Sequence, residues 1–82
     1  MIRIDHIGIA VRDLADSNEL FRKLLGSAPY KTELVESEHV TTCFFQIGES
    51  KIELLVASDP ESPIARFIEK RGEGMHHIAF EV

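Results

Sequence analysis

Two short runs of the sequence open on histidine and then repeat the same order of side-chain sizes: His6-Ile7-Gly8-Ile9-Ala10-Val11 and His77-Ile78-Ala79-Phe80-Glu81-Val82. After each histidine come a large apolar residue, a small one and another large apolar one, with valine in the fifth place after it. An internal echo of this kind is what a structural unit used twice would leave in a sequence. Read as strands, the first run puts His6, Gly8 and Ala10 on one face and Ile7, Ile9 and Val11 on the other. The second puts His77, Ala79 and Glu81 opposite Ile78, Phe80 and Val82. A third run, Lys51 to Val56, sets Glu53 with Lys51 and Leu55 against Ile52, Leu54 and Val56. Each strand then offers one donor to a shared cleft: His6, Glu53 and His77. Two imidazoles and a carboxylate suit a borderline or hard divalent cation that keeps positions open for a substrate. On pattern alone the plainer readings stay open, His6 as an unpartnered strand-edge histidine and Glu53 as a solvated carboxylate beside Lys51.

The remaining reactive side chains are read as supporting or structural. Adjacent His76 and His77 alternate faces, so one at most enters the cleft, and the echo selects His77; His76 is then a supporting neighbour or simply exposed. His39 falls in a turn and is read as a surface residue. Cys43 lies among Phe44, Phe45 and Ile47, with no positive group beside it in sequence, and reads as a small core residue. No phosphate-cradling glycine loop, nucleophile elbow or Cys-x-x-Cys pair is present.

These donors need elements to hold them. Residues 2–11 are rich in β-branched side chains and read as a strand. Asp13 then suits an N-cap, with Asp16 in the first turn, Leu14, Phe21, Leu24 and Leu25 at helical spacing, and Gly26 at the C-terminal cap. Three strands follow over Tyr30–Ser37, Val40–Ile47 and Lys51–Ala57, broken at Glu38-His39 and Gly48-Glu49-Ser50. Ser62 and Pro63 open a short helix with Ile64, Phe67 and Ile68 as its apolar stripe. Gly72 and Gly74 end it before a last strand from Met75. That strand stops at Val82 with no turn, cap or polar tail, which predicts a truncated chain.

Composition bounds the rest. A chain of 82 residues has room for one small domain, and 44% hydrophobic with 28% charged residues is an ordinary globular balance. A domain of this size buries only about 60% of its unfolded surface, so its stability is expected to lean on a partner chain, a metal or further sequence. Nine basic against fourteen acidic residues, net −5, argue against nucleic acid as a partner. The single cysteine forms no internal disulfide, and no stretch reads as a signal peptide or membrane span, so a cytoplasmic protein without membrane contact is expected.

Asp5 to Val11, Lys51-Ile52-Glu53-Leu54-Leu55, Ser62-Pro63-Ile64-Ala65-Arg66-Phe67 and Gly72 to Val82 together resemble the methylmalonyl-CoA epimerases of the vicinal oxygen chelate, or glyoxalase-like, superfamily. The opening histidine strand is common to many members, whereas the Ser-Pro-Ile-Ala segment joined to Gly-Glu-Gly-Met-His-His-Ile-Ala-Phe-Glu-Val is more particular to the epimerases. The resemblance implies an α+β fold of paired βαβββ modules whose curved sheets enclose a divalent metal ion (Co, Mn, Ni or Zn). On that pattern residues 1–57 form the first module, 58–74 a linker with a short helix, and 75–82 the first strand of a second, missing module. Matched position by position, His6, Glu53 and His77 take three of four metal ligands, and the fourth would be a glutamate near the end of the second module.

The implied activity is that of an isomerase, epimerising methylmalonyl-CoA at C2 by proton abstraction through a metal-stabilised enolate. The partners would be a coenzyme A thioester and a second copy of the chain in a homodimer. The catalytic carboxylates are unassigned, at least one lying beyond Val82, and the third strand offers Thr42 and Phe44 to the cleft rather than a base. Alternatives stay open: a lactoylglutathione lyase-like isomerase, a ring-cleaving dioxygenase, or a small-molecule-binding module without catalysis. A half-enzyme that builds its cleft by pairing with a copy of itself is a further one.

Overall fold

The computed structural model describes residues 2–82, so Met1, the first residue of the expected module, lies outside it. The chain runs β1 (Arg3–Ala10), α1 (Leu14–Leu25), β2 (Lys31–Val35), a 3-10 turn (Glu36–Glu38), β3 (Val40–Ile47), β4 (Ser50–Ala57), α2 (Pro63–Arg71) and β5 (Gly74–Glu81). The strands form one mixed sheet in the order β2-β3-β4-β1-β5. β1 and β4 are parallel, because α1 and the β2-β3 hairpin intervene between them, and the other pairings are antiparallel. This α+β arrangement is the βαβββ order expected from the sequence, with a helix and one more strand added.

Local chemistry sets the element ends. The Asp13 side chain accepts from the Asp16 amide, and Gly26 closes α1 at φ 76°, in the left-handed region that glycine enters without strain. Ser62 caps α2 through the Ile64 amide, with Pro63 at the first helical position. The expected strand over Tyr30–Ser37 is shorter. It ends at Val35, where Glu36–Glu38 tighten into the 3-10 turn and His39 turns the chain at φ 56°.

The two helices cover opposite faces of the sheet. Leu14, Phe21 and Leu25 of α1 pack on Val11, Cys43, Phe45, Ile52 and Leu54, with Ile7, Ile9 and Val56 alongside. The faces of β1, β3 and β4 are those read from alternation, and Cys43 is a fully buried core residue. α2 instead lays Ile64, Phe67 and Ile68 on Ala10, Val40 and Leu55, on the face that carries His6 and Glu53, and so walls off one end of that face. Its apolar stripe was legible in sequence, but its side of the sheet was not. Among the described residues no helix is long and apolar enough to cross a membrane.

Leu54 is fully buried between sheet and α1, whereas Leu24 on the same helix is 70% exposed. Leu54→Ala should cost about 2–5 kcal/mol of stability and Leu24→Ala under about 0.5 kcal/mol, as read by urea denaturation.

Candidate metal centre

Register across three neighbouring strands builds the centre. Gly8 of β1 stands opposite Glu53 of β4 on one side and His77 of β5 on the other, so the row across the sheet reads Glu53, Gly8, His77. His6 is two residues earlier on β1 and shares that face. A Cβ added to Gly8 would lie 2.2 Å from His77 Cε1 and 2.6 Å from its Nδ1, so the His77 ring occupies space that only glycine leaves free. Across that gap the two imidazoles meet with His6 Nε2 3.1 Å from His77 Nε2 and their rings nearly perpendicular. Glu53 Oε2 lies 3.6 Å from His6 Nδ1. One donor atom from each of His6, Glu53 and His77 falls within 4.8 Å of the others.

The environment suits a ligand set. His6 and Glu53 side chains keep 22% and 15% exposure, so they are partly withdrawn from water yet still reachable. Burial, followed by the neighbouring His6 and His76 rings, holds the His77 imidazolium below the ordinary histidine range against a smaller opposing pull from Glu53. The neutral ring is the form that ligates a metal. Two imidazole nitrogens at about 2.0–2.1 Å from one ion, at tetrahedral or octahedral angles, are about 2.8–3.4 Å apart, and the observed 3.1 Å separation falls inside that range. The residues present fit a divalent ion.

The centre opens into a cleft of about 870 Å³. Its floor includes Thr42, Phe44 and Leu55, as alternation predicts, and Glu33, Glu38, Glu61 and Arg66 stand on its walls. Glu33 and Glu38 are carboxylates that the reading of the third strand alone could not supply, since they come from β2 and the 3-10 turn. His39 is at the surface as expected, its side chain 42% exposed, and it also lines the cleft: its Nδ1 lies 2.5 Å from Asp59 Oδ2, which ties the start of β3 to the segment before α2.

One expectation is corrected. Strict alternation allows only one of His76 and His77 into the cleft, but both line it, with their Nδ1 atoms 2.9 Å apart. The cause is a β-bulge. Gly8 pairs with His77 while the next residue, Ile9, pairs with Met75, which leaves His76 as the extra residue on β5. A bulge of this kind brings two consecutive side chains to one side. His76 is thereby held edge-on to Phe67 of α2, ring centres 4.9 Å apart. A second bulge sets Asp5: Ile4 pairs with Phe80 and His6 with Ala79, so Asp5 is the extra residue on β1. Its Oδ2 lies 2.9 Å from His6 Nδ1. That hydrogen bond, then the nearby Lys51 charge, holds the Asp5 carboxyl below the usual range against partial desolvation.

The chain is 45% identical over 80 residues to the uncharacterized protein YqjC of Bacillus subtilis, covering 98% of this chain and 57% of that protein. It is 36% identical over 81 residues to the human mitochondrial methylmalonyl-CoA epimerase, covering 98% of this chain and 46% of the relative. Among solved structures, the Streptomyces coelicolor methylmalonyl-CoA epimerase in complex with 2-nitronate-propionyl-CoA superposes with a TM-score of 0.89 at 38% identity, over 95% of this chain and 58% of that one. The chain thus spans about half the length of the curated relatives it matches. Residues 5–82 match the Glyoxalase/Bleomycin resistance protein/Dioxygenase superfamily, and the chain belongs to that superfamily.

Proposed function

We propose that this chain is the metal-binding part of an isomerase that epimerises a 2-methylmalonyl thioester of coenzyme A. The observation that carries the reading is the His6, Glu53 and His77 cluster, its donor atoms within 4.8 Å of one another, with Glu53 and His77 lining the cleft. The likeness to epimerases, one of them solved with 2-nitronate-propionyl-CoA, directs it to this substrate class. In this reading residues 1–57 are a first module, 58–74 a linker carrying α2, and 75–82 the opening strand of a second module, with a homodimer as the working assembly and the cytoplasm as its compartment.

The chemistry to be done is removal of a proton from the carbon between a thioester and a carboxylate, and its return on the opposite face. His6, Glu53 and His77 would hold a divalent ion of the Co, Mn, Ni or Zn kind, with one more ligand supplied by a glutamate of the second module. When bound, such an ion supplies Lewis acidity to an oxygen of the substrate. The chain's own residues do the rest of what this half of the cleft contributes. The His77 and His6 rings keep their Nε2 atoms 3.1 Å apart, Gly8 leaves room for that approach, and α2 closes one end of the cleft to water. Glu33 and Glu38 place carboxylates on the wall, the type of group able to take a proton from such a carbon.

Replacing a donor separates ligand roles from structural ones. His6→Ala and His77→Ala should abolish turnover and weaken cobalt binding by isothermal titration, whereas Glu53→Gln, which keeps an oxygen donor, should reduce affinity without abolishing it. Gly8→Ala should leave a folded protein by circular dichroism, since the closest atoms to the added Cβ all belong to the His77 ring and none to the backbone. Its cobalt affinity should fall about 10–100-fold, as when ligand orientation is disturbed. Wild-type affinity in either histidine variant would remove the ligand assignment.

The activity is tested on the protein in the length its gene encodes, incubated with methylmalonyl-CoA in heavy water with cobalt or with chelator. Deuterium should enter at C2 only with metal, and His6→Ala should suppress it. A folded, metal-loaded protein that exchanges nothing would exclude the epimerase and favour a different superfamily activity, such as glyoxalase-like isomerisation, ring cleavage or binding alone.

A further inference from the structure

The two bulges in the β1-β5 ladder are placed symmetrically about the metal cluster. The extra residue on β1 is Asp5 and the extra residue on β5 is His76, so each immediately precedes a candidate ligand. Because one insertion lies on each strand, the offset introduced at Asp5 is undone at His76, and only the short segment carrying both histidines runs in the shifted register. Each bulge turns the preceding side chain onto the Nδ1 edge of the following ring: Asp5 Oδ2 is 2.9 Å from His6 Nδ1, and His76 Nδ1 is 2.9 Å from His77 Nδ1. In both cases Nε2 is left facing the centre, where the two meet at 3.1 Å.

The two neighbours are not equivalent. An imidazole can donate or accept, so His76 does not by itself select a tautomer for His77. An ionised carboxylate only accepts, so Asp5 requires the proton of neutral His6 to sit on Nδ1, which makes Nε2 the acceptor of the 3.1 Å contact with His77 in the metal-free protein and the lone pair available to a cation. Asp5 is itself braced. Arg3 Nη2 and Lys51 Nζ each lie 3.8 Å from its Oδ1, and Arg3 is clamped across the strand pair by Glu81, with Nε to Oε1 at 2.8 Å and Nη2 to Oε2 at 3.2 Å. Glu53 Oε2, at 3.6 Å from the same His6 nitrogen, is beyond hydrogen-bond reach and so is not the group that fixes this ring.

We propose that Asp5 is the positioning residue of the centre, set by the β1 bulge and braced by Arg3 and Lys51 to hold His6 as the Nδ1-H tautomer with Nε2 directed at a divalent cation. The inference rests on the metal reading of the cluster, and it makes a claim about the metal-free protein that can be tested separately.

Long-range proton-nitrogen correlation spectra of histidine-labelled, metal-free protein, recorded above the histidine titration range, report the tautomer. His6 should be the Nδ1-H form in the wild type and shift toward Nε2-H in Asp5→Ala. Cobalt affinity should fall about 10–100-fold in the same variant and recover in part in Asp5→Glu. Asp5→Asn, close to isosteric, serves if Asp5→Ala fails to fold, and should also weaken cobalt binding because the charge is lost. An Nε2-H wild type, or cobalt affinity unchanged in the Asp5 variants, would overturn the proposal. A wild type that binds no cobalt yet shows the Asp5-dependent tautomer would overturn the metal reading and support Asp5 as the group that orients His6.

Discussion

The arrangement of this site depends on one missing side chain. Gly8 lies in the middle of the row that runs from Glu53 through β1 to His77, and a Cβ there would clash with the His77 ring, 2.2 Å from its Cε1. With the gap open, an imidazole from the edge strand can lean over β1 and reach another from β1 itself. With it filled, the two histidines would still sit on adjacent strands but could not bring their Nε2 atoms to 3.1 Å. The need at Gly8 is for space rather than for backbone freedom, since it is not among the glycines of positive φ.

Around that gap the sheet divides its labour by face. One face is given to cohesion: α1 buries Phe45, Leu54 and Cys43 completely, and the apolar positions of β1 and β4 alternate onto it. The other face carries the donors and is covered only at one end, where α2 packs Ile64 on Ala10, Val40 and Leu55. Stability and chemistry are thus separated by the two-residue period of the strands, so the polar cluster interrupts no part of the α1 core. The same parallel pairing of β1 with β4 that closes the core also brings Glu53 level with Gly8.

Much of this was legible in the sequence because it is local. Asp13 and Gly26 bound α1, Ser62 and Pro63 start α2, and the alternation in β1, β3 and β4 assigns His6, Glu53, Thr42 and Phe44 to one face. What could not be read depends on partners distant in sequence. A bulge is a mismatch between two strands, and nothing in Ile4-Asp5-His6 or Met75-His76-His77 marks it until β1 and β5 are paired. Hence strict alternation excluded His76 from the cleft and left Asp5 unnoticed. The side of the sheet taken by α2 is likewise a matter of tertiary packing, and so is the pairing of His39 with Asp59, twenty residues apart. In both strands the residue before the histidine, Asp5 or His76, is polar and is the bulged one.

In the proposed function His6, Glu53 and His77 act together on one divalent ion. X-ray absorption at the zinc edge of the zinc-loaded protein tests it most directly. Two imidazole nitrogens and at least one carboxylate oxygen are expected in the same shell, at about 2.0–2.2 Å. A shell with a single imidazole, or one made of water oxygens alone, would contradict it.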